Sequence, residues 1–547
     1  MDIPVTSIRC PLHTIAHPRT GQRILCYECD FRNLYETLRA TACRTPERTA
    51  AVDDRETVTW QQLCRRVDRV SAAMYDRYHV RPGDRVGLLM MNSIDFCTAF
   101  YAIVKLGAIA VVLNTKIAPP QLAWMLNDTG ADLLFSDVDW VGKLRTALGE
   151  TQVRRVIFGS GDTPALEGVA CATMDALSSD GDAPVCRELF APALIMYTSG
   201  TTGTPKGALI SHFNVLQNVL SYADILRMDE NECTVIGVPM FHITGLSCLM
   251  ALFVYLGGKM VLMPKFHAGR CNELMRLHKA THIHAVPSIY TMLYDAQPDG
   301  QPIESLRCAV CGGGAIAADT IRRYCGRNPH IDFHCAYGMT ETAGAGVLFP
   351  THYFDVDKGG ASGIVAPNTV LRVCDDQGRP VPNGVIGEIC FGGSVVIDHY
   401  WGRRQGDGFR DGLLLSGDLG KIDDDGYVYV VDRKKDMINR SGEKIFSILV
   451  EKELYAMPEV DLCAVFPVRD ERHGEVPAAV VTLRPGAELT PEAIRDFLMT
   501  RLAKYEVPQY IRIVDEIPLN PNNKMAKHQL RAYYEPLLLS ETEKERF

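Results

Sequence analysis

The sequence lacks an apolar run long enough to cross a lipid bilayer. Its longest apolar windows lie near 99–113 and 246–263, and Lys105 and Gly257-Gly258-Lys259 interrupt them. A membrane-spanning helix needs about 20 uninterrupted apolar residues. A long basic run is also missing, and the net charge is −9. Both facts argue against nucleic acid or an anionic membrane as the main partner.

An apolar signal segment is missing from the first residues, MDIPVTSIRC, so we expect no signal peptide. The 18 cysteines are scattered, mostly inside apolar stretches. Such cysteines usually pack as small core residues in a reducing compartment. The sequence therefore predicts a cytoplasmic protein without disulfides.

Four residues near the start of the chain are candidate ligands for a metal ion. Cys10 and His13, and then Cys26 and Cys29, form two pairs with a gap of two residues each. This spacing is compatible with a tetrahedral zinc site. It is equally compatible with coincidence in a cysteine-rich chain.

The most informative segment is residues 197–208, which read YTSGTTGTPKGA and follow the apolar run Ala193–Met196. Three glycines let the backbone approach a ligand closely, and successive free N–H groups form an anion-binding nest. Five hydroxyls and Lys206 add donors and positive charge. The pattern predicts a phosphate-binding loop, although not one of the Walker type. A polar surface hairpin is the alternative, but it would not need so many donors.

The order of predicted elements indicates an α/β fold of more than one domain. At 547 residues the chain is too long for a single core. Apolar strands alternate with helices from about 86 to 129 and again from 211 to 337, which is typical of buried parallel sheets. Short strands and turns from 360 to 432 predict an antiparallel sheet or a small barrel. We expect an irregular extension over 1–30 and a small domain after the charged segment at 432–436.

Further motifs follow the phosphate loop in a fixed order. They are Pro239-Met-Phe-His242, Gly312–Ala315, Tyr337-Gly-Met-Thr-Glu-Thr342, Ser416-Gly-Asp418, Asp432-Arg-Lys-Lys-Asp-Met-Ile438 and Asn520-Pro-Asn-Asn-Lys-Met-Ala-Lys527. Together they resemble the adenylate-forming superfamily, which contains acyl-CoA synthetases, peptide-synthetase adenylation domains and beetle luciferases. The resemblance covers residues 33–531.

The resemblance implies both a fold and a reaction. The fold would be a large N-terminal domain of two α/β sheet subdomains plus a small β-barrel, followed by a small mobile α+β C-terminal domain. The expected boundaries are an extension over 1–32, the AMP-binding domain over 33–432 and the C-terminal lid over 433–547. The reaction would join a carboxylic acid to ATP, releasing pyrophosphate, and then transfer the acyl group from the adenylate to a thiol.

The same resemblance assigns nucleotide contacts. Gly313 and Gly314 would lie against adenine beside Tyr337. Asp418 would hold the ribose, and Arg433 would be a second contact to the ribose or to a phosphate. Glu341, with Thr340 beside it, would supply the carboxylate for Mg²⁺. Each of three residues also has a purely structural alternative. Tyr337 could be a buried tyrosine at the end of a strand, Glu341 an acid in the first turn of a helix, and Asp418 an ordinary turn residue. The ATP phosphates would be held by Thr198, Ser199, Gly200, Thr201, Thr202, Gly203 and Lys206.

The lid would carry the catalytic cation, which we predict to be Lys524. A cation from a lid can stabilise the charge on a pentacoordinate phosphorus without proton transfer. This chain departs from the family in carrying Asn523 where a glycine is usual, and Asn tolerates the left-handed conformation. A solvated surface lysine is the alternative, and Lys527 is a lesser candidate.

Three further positions follow from the resemblance. Lys435 would be the hinge about which the lid rotates between half-reactions. The pair Ser441-Gly442 would then line the pantetheine tunnel of CoA, where a bare backbone suits a thin thiol arm. We place His242 beside the carboxylate pocket, where it would orient the acid or gate CoA.

The sequence says less about the substrates. The Asp432–Glu451 region resembles CoA ligases, so free CoA is expected together with ATP and Mg²⁺. Thr244 stands where hydroxycinnamate ligases tend to carry tyrosine, so the sequence does not support a phenol-specific pocket. Small residues in the expected pocket walls suggest open space, and we expect a medium-chain or small aromatic acid. The alternatives are an enzyme that loads a carrier protein and a nucleotide-binding protein without catalysis. The sequence is compatible with a homodimer.

Overall fold

The computed structural model describes most of the chain. The described residues are 11–18, 20–159, 161, 163–177, 179, 181–198, 205–298, 301–403, 407–470, 472–518 and 527–545. No helix among them has the length and apolar character required to cross a bilayer.

The chain forms two compact units. The first contains Met1–Arg372, Cys390–Leu415 and Asp425–Val428. The second contains Val373–Ile389, Ser416–Asp424 and Tyr429–Phe547. The domain boundary expected after residue 432 stays a prediction.

The N-terminal extension contains a β-hairpin rather than the irregular segment that the sequence predicts. Strand β1 (Leu12–Ala16) pairs antiparallel with β2 (Arg23–Tyr27). Backbone hydrogen bonds between His17 and both Gly21 and Gln22 close the turn. The prediction was wrong because two five-residue strands give little periodicity to read.

The next stretch of the first unit supplies a seven-stranded α/β sheet. Its helices begin where side chains cap them; for example, Asn33 accepts a hydrogen bond from the Glu36 amide at 2.9 Å. The elements in chain order are α1 (Leu34–Arg44), β3 (Thr49–Val52), β4 (Thr57–Thr59), α2 (Trp60–Asp76), β5 (Arg85–Leu89), α3 (Ile94–Lys105), β6 (Ile109–Val112), α4 (Pro119–Thr129), β7 (Leu133–Ser136), α5 (Val141–Ala147), β8 (Arg155–Phe158), β9 (Ala170–Thr173), β10 (Pro192–Thr198) and β11 (Lys206–Ser211).

The strand order of this sheet is β11-β10-β6-β5-β7-β8-β9. All neighbours are parallel except β10 and β11, which form an antiparallel pair around the phosphate loop. The central strands are buried along their length, as the apolar runs predict.

The second sheet of the first unit begins after β11. Its longest helix starts at a capping box in which the Ser211 and Asn214 side chains bond each other's backbone amides. The elements are α6 (His212–Ile225), β12 (Cys233–Ile236), a π-helical segment (Thr244–Ala251), α7 (Leu252–Leu256), β13 (Lys259–Leu262), α8 (Ala268–Leu277), β14 (His282–Ala285), α9 (Pro287–Asp295), β15 (Cys308–Cys311), α10 (Ala318–Arg327), β16 (Asp332–Met339), β17 (Gly344–Leu348) and β18 (Gly363–Val365).

The parallel part of this sheet has the order β16-β15-β14-β12-β13-β3. Antiparallel strands extend it on both sides, with β4 beside β3, and β17 and then β18 beside β16. The carboxyl ends of β14, β15 and β16 therefore meet at one edge, where Ala285, Cys311 and Cys335 are in register. Ligands of open α/β sheets usually bind at such an edge.

The short strands predicted over 360–432 are present. The remaining strands of this stretch are β19 (Thr369–Cys374), β20 (Gly387–Gly393), β21 (Phe409–Arg410), β22 (Leu413–Ile422) and β23 (Tyr427–Arg433). Their pairings within the first unit are antiparallel. This confirms the antiparallel texture, while the small barrel is not confirmed.

The second unit has a mixed sheet with an apolar core on each face. Its order is β25-β24-β27-β26, with β28 parallel to β27. The two cores contain Val465 and Val481 on one face, and Phe466 and Val480 on the other. The elements are β24 (Ile438–Arg440), β25 (Glu443–Ile445), α11 (Ser447–Leu454), β26 (Val460–Asp470), β27 (Gly474–Leu483), α12 (Pro491–Met499), β28 (Tyr510–Ile513) and α13 (Lys527–Glu545).

Candidate active site

The phosphate loop begins and ends at a pair of strand residues. Thr198 ends β10 and Lys206 begins β11, and the two are directly opposite each other in the antiparallel register. The predicted contacts Ser199, Gly200, Thr201, Thr202 and Gly203 lie outside the described residues. The strands thus hold both ends of the loop at one edge of the first sheet.

A buried carboxylate lies beside this edge. Glu341 belongs to a short 3₁₀ turn (Thr340–Thr342) and is 4% exposed. Its Oε1 accepts hydrogen bonds from the hydroxyl of Thr198 at 3.0 Å and from that of Tyr400 at 3.1 Å. Burial raises the pKa of Glu341, and these two hydrogen bonds and the charge of Lys206 oppose the rise. The structure thus brings Thr198 and Glu341 into direct contact.

Tyr400 is a site residue that the sequence analysis missed. Its segment is held by backbone hydrogen bonds from Ile397 to the Glu341 carbonyl at 2.9 Å and from Trp401 to the Gly207 carbonyl at 2.7 Å. The only signal in the sequence was an aromatic pair, Tyr400-Trp401, before a glycine. That signal is too common to identify a site by itself.

A small cavity lies next to Tyr400 and is lined by two basic side chains. The Lys206 ammonium is 5.4 Å from the centre of the Tyr400 ring. The cavity has a volume of about 240 Å³ and is lined by Lys206, Tyr400, Arg403, Asp407 and Gly408. Two cations beside a buried carboxylate can hold a polyphosphate together with a divalent metal ion.

The residues expected to hold adenine lie at the edge shared by β14, β15 and β16. Tyr337 is half-buried in β16, and its ring centre is 5.5 Å from that of Phe391. Gly313 and Gly314 are exposed after β15, and Gly313 has a φ of 76°, which favours glycine. A flat half-buried ring beside a bare backbone can accept a planar base.

His242 lies in a tight turn before the π-helical segment. Its amide donates to the Pro239 carbonyl at 3.0 Å, and its ring packs edge-on against Phe241 with 4.8 Å between centres. Gly245 is required here, because a Cβ at this position would be 2.8 Å from the Met240 Cα. The turn thus fixes the backbone on both sides of His242.

In the second unit, two predicted ribose contacts lie together. The Arg433 side chain is 3.5 Å from the Asp418 carboxylate. Asp418 follows the turn in which the Ser416 hydroxyl accepts a hydrogen bond from the Asp418 amide at 3.0 Å. Lys435 is exposed two residues after Arg433.

The predicted CoA-tunnel residues form the turn between β24 and β25. Ser441 has a φ of 53°, and its hydroxyl is 2.9 Å from Nδ1 of His473. Gly442 has a φ of 95°, and a Cβ there would meet no atom within 4 Å. The turn is exposed and contains open space beside its glycine.

The predicted catalytic Lys524 lies outside the described residues, but Lys527 does not. The Lys527 ammonium is 2.7 Å from the Glu451 carboxylate and donates to the Ser447 hydroxyl at 2.6 Å. The Ser447 hydroxyl in turn donates to Asp432 at 2.9 Å. All four residues of this network are mostly buried, so Lys527 has a structural partner that a free catalytic cation would not have.

The N-terminal residues do not complete a metal site among the described residues, in which no group of three candidate ligands occurs. His13 and Cys26 face each other across the hairpin, with 3.6 Å from Nε2 to Sγ. Burial raises the pKa of Cys26 to about 11. Cys10 lies outside the described residues.

Comparisons with known proteins find two family models that match the chain. Residues 38–401 match the model of the AMP-binding enzyme family, and residues 449–524 match that of the AMP-binding enzyme C-terminal domain. A feruloyl-CoA synthase from Amycolatopsis is 34% identical over 492 residues, covering 89% of this chain and 96% of that protein.

Two solved structures have the same overall fold. The anthranilate CoA ligase AuaEII in complex with anthranoyl-AMP has a TM-score of 0.85 and 25% identity, covering 93% of this chain and 98% of its own. The o-succinylbenzoate CoA synthetase from Bacillus subtilis in complex with ATP and magnesium has a TM-score of 0.78 and 29% identity, covering 90% and 98%. The chain is thus similar along nearly its whole length to ligases of known activity.

Proposed function

The chain belongs to the AMP-binding enzyme family, and on that premise we propose that its site joins a carboxylic acid to CoA through an acyl-adenylate. Relatives that match nearly the whole chain are AMP-forming CoA ligases, so the enzyme class is that of an acid–thiol ligase. The residues proposed below to do this work are assigned by their geometry and by the motifs they belong to.

One observation supports the proposal above all others. The buried Glu341 carboxylate accepts hydrogen bonds from the Thr198 and Tyr400 hydroxyls on Oε1 and lies within the electrostatic reach of Lys206. A purely structural glutamate at 4% exposure would be expected to pair directly with a cation. Here the carboxylate is held by two hydroxyls, which leaves its negative charge available to a ligand.

Magnesium fits this donor set. Mg²⁺ prefers hard oxygen ligands and is usually bound through one or two carboxylates plus substrate phosphates. Glu341 supplies such an oxygen, and Thr198 and Tyr400 fix its orientation. When bound, the ion neutralises charge that develops on the phosphate oxygens.

In the first half-reaction, a carboxylate oxygen of the acid bonds to the α-phosphorus of ATP. The bond from that phosphorus to the bridging oxygen breaks, and pyrophosphate leaves with the electron pair. We propose that Lys206 and Arg403 stabilise the negative charge on the leaving phosphates. Tyr337 is proposed to bind the adenine ring together with Gly313 and Gly314. Lys524 is proposed as the cation that stabilises the pentacoordinate phosphorus.

In the second half-reaction, the CoA sulfur bonds to the acyl carbon. The thiol proton passes to solvent, and the bond between the acyl carbon and the phosphate oxygen breaks to release AMP. We keep as proposals the ribose contacts of Asp418 and Arg433, the hinge at Lys435 and the pantetheine contact at Ser441 and Gly442. The open space beside Gly442 supports the last of these.

The acid is proposed to be a small aromatic or medium-chain carboxylic acid. Relatives named for aromatic acids support the aromatic alternative, as does the small size of the residues at the edge shared by β14, β15 and β16. His242 is proposed to orient the carboxylate. A carrier protein as acceptor is not favoured, because the relatives that match the whole chain use CoA.

The proposal is tested by pyrophosphate release with a panel of acids, in the presence and absence of CoA. We expect release with at least one acid and a thioester only when CoA is added; without CoA, hydroxylamine should trap the adenylate. Thioester formation on a carrier protein but not on CoA would contradict the proposal. Absence of release with every acid would favour a nucleotide-binding protein without catalysis.

We also propose a cytoplasmic location and a homodimer. All described cysteines are free thiols, which supports a reducing compartment such as the cytoplasm. A homodimer can be tested by light scattering of the purified protein.

A further inference from the structure

We propose that His284 recognises a hydroxyl substituent on the acid, so that the preferred substrate is a hydroxylated carboxylic acid. This inference rests on the proposed function, because it concerns the acid that the same site activates. It adds a specificity-determining residue and narrows the class of acid.

His284 lies where the acid is expected to bind. It belongs to β14, one residue before the point where Ala285, Cys311 and Cys335 end their parallel strands in register. Its Nε2 would be 3.2 Å from a Cβ placed on Gly312, the first glycine after β15. The imidazole is therefore next to the bare backbone that leads to the predicted adenine contacts Gly313 and Gly314.

The His284 ring is buried but lacks hydrogen bonds. It is 3% exposed and stacks on Tyr222, with 5.9 Å between ring centres and 27° between the planes. Its Nδ1 is buried and makes no hydrogen bond to any of the described residues. Leaving a buried polar atom without a partner is costly, and such atoms are often found where a ligand supplies the partner.

Polar groups on α6, the helix that carries Tyr222, bond to the neighbouring π-helical segment and to β17. Asn218 donates to the Ala345 carbonyl at 3.0 Å and accepts from Ser247 at 3.2 Å and Cys248 at 3.5 Å. A Cβ on Gly344 would be 2.7 Å from the Cys248 sulfur, so this side of the site has no spare room. His284 takes no part in these hydrogen bonds, and its Nδ1 has no partner among the described residues.

The charge state of His284 decides which substituent it can bind. Burial lowers the pKa of His284 to about 3, so the ring is neutral at physiological pH. A neutral imidazole has one N–H donor and one acceptor nitrogen. A hydroxyl can satisfy either nitrogen, whereas a second carboxylate on the substrate would find no positive charge there.

Two other histidines in the same sheet serve as comparisons. His334, in β16, donates a hydrogen bond from Nδ1 to the Phe349 carbonyl at 2.8 Å, so this nitrogen has a partner. His282 lies two residues before His284 on the same face of β14. Its Nδ1 is 3.2 Å from the Thr234 hydroxyl, and its Nε2 is buried without a hydrogen-bond partner among the described residues. His282 is further from the edge of the sheet, which makes it a matched control.

The test compares acids that differ only in a hydroxyl or a methyl group. The pairs are 4-hydroxybenzoate with 4-methylbenzoate and 4-hydroxycinnamate with 4-methylcinnamate, together with their 3-substituted isomers. The proteins are the wild type, His284→Leu, His284→Gln and His282→Leu. Pyrophosphate release gives kcat/KM, and calorimetry gives the Kd of the matching acyl-sulfamoyl adenosines, which bind without turnover.

We expect the wild type to favour the hydroxyl acid at least about tenfold in at least one pair. His284→Leu should bring that ratio close to one by weakening the hydroxyl acid alone, and His284→Gln should restore part of the preference. His282→Leu should lower thermal stability without changing the ratio. The rescue by glutamine separates recognition from a merely structural role.

A wild type with no preference in any pair would overturn the inference. So would a His284→Leu variant that keeps the wild-type ratio. If no acid supported pyrophosphate release, the proposed function would fail, but the calorimetric arm would still measure the preference assigned to His284. If His284→Leu unfolded, His284→Gln would carry the same comparison, with a reduced ratio expected and an unchanged ratio contradictory.

Discussion

The hydroxyl of Tyr400 donates a hydrogen bond at 3.1 Å to Oε1 of Glu341, the same oxygen that Thr198 bonds at 3.0 Å. The three residues come from positions 198, 341 and 400, so only the folded chain brings them together. This shared oxygen fixes the carboxylate without neutralising it.

Replacing this carboxylate by an amide should abolish most of the adenylation activity. Glu341→Gln keeps the size of the side chain but removes the charge that Mg²⁺ needs, and we expect kcat to fall about 100- to 1000-fold. Pyrophosphate release measured against Mg²⁺ concentration checks this. Tyr400→Phe removes one of two hydrogen bonds and should lose much less. An unchanged Mg²⁺ dependence in Glu341→Gln would contradict the assignment.

Removing the ammonium of Lys206 should weaken the binding of ATP and leave the binding of the acid unchanged. We expect Lys206→Met to raise the KM for ATP at least about tenfold, because a charge-assisted contact to phosphate is lost. The KM for the acid should stay close to that of the wild type. Lys259→Met is the control, since Lys259 bonds the His278 carbonyl at 2.9 Å and should not affect ATP.

Replacing Lys524 should affect catalysis, whereas replacing Lys527 should affect stability. We expect Lys524→Ala to lower the rate of adenylation at least about 100-fold, because a cation on the phosphorus is lost. Transfer from supplied acyl-adenylate to CoA should be affected much less. Rapid-quench measurement of each half-reaction checks this, and equal losses in both would contradict a role in the first step alone.

Lys527→Met should act on stability. Lys527 is 2.7 Å from Glu451, and both side chains are mostly buried. Removing one partner of a buried ion pair leaves the other charge uncompensated, which typically costs about 3–5 kcal/mol. Denaturant unfolding should show this loss, and the double variant Lys527→Met with Glu451→Leu should recover part of it. Unchanged unfolding of the single variant would contradict the buried network.

Buried histidines predict a loss of stability in acid. Burial lowers the pKa of His212 and His284 to about 3, below the usual value of 6.5 for the unfolded chain. Below pH 6.5 the unfolded state binds protons that the native state does not, so stability is full above that pH and falls towards pH 3. The slope is at most about 1.4 kcal/mol per pH unit for each group.

The measurement compares unfolding free energies of the wild type and His284→Leu from pH 8 to pH 4. The difference between them should be constant above pH 6.5, and the wild type should lose stability faster below it. Raised carboxyl pKa values, as at Glu341, have the opposite sign, which is why the comparison with the variant is needed. Parallel curves over the whole range would contradict a neutral buried His284.

Local patterns predicted the elements better than their limits or their partners. Helix α1 and its cap Asn33 could be predicted from the sequence, because capping and 3.6-residue periodicity are local signals. The π-helical segment before α7 could not be predicted, since this feature has no simple sequence signature.

The candidate site divides in the same way. The loop between Thr198 and Lys206 could be predicted because glycines and hydroxyls are concentrated in one short stretch. Tyr400 and Arg403 could not, since nothing near them in the sequence distinguishes a phosphate site from an ordinary turn. The lack of a partner at His284 is visible only when every polar neighbour has been placed.

The sequence by itself determined the alternation of strands and helices, the glycine-rich loop and the family of the enzyme, because each depends on residues close together in the chain. Only the tertiary structure decided that Tyr400 shares an oxygen of Glu341 with Thr198, that Lys527 is paired with Glu451, and that His284 is buried without a partner. These relationships join residues 59 to 143 positions apart or depend on burial. Spacing along the chain does not encode them, since distance and desolvation arise only when the chain has packed.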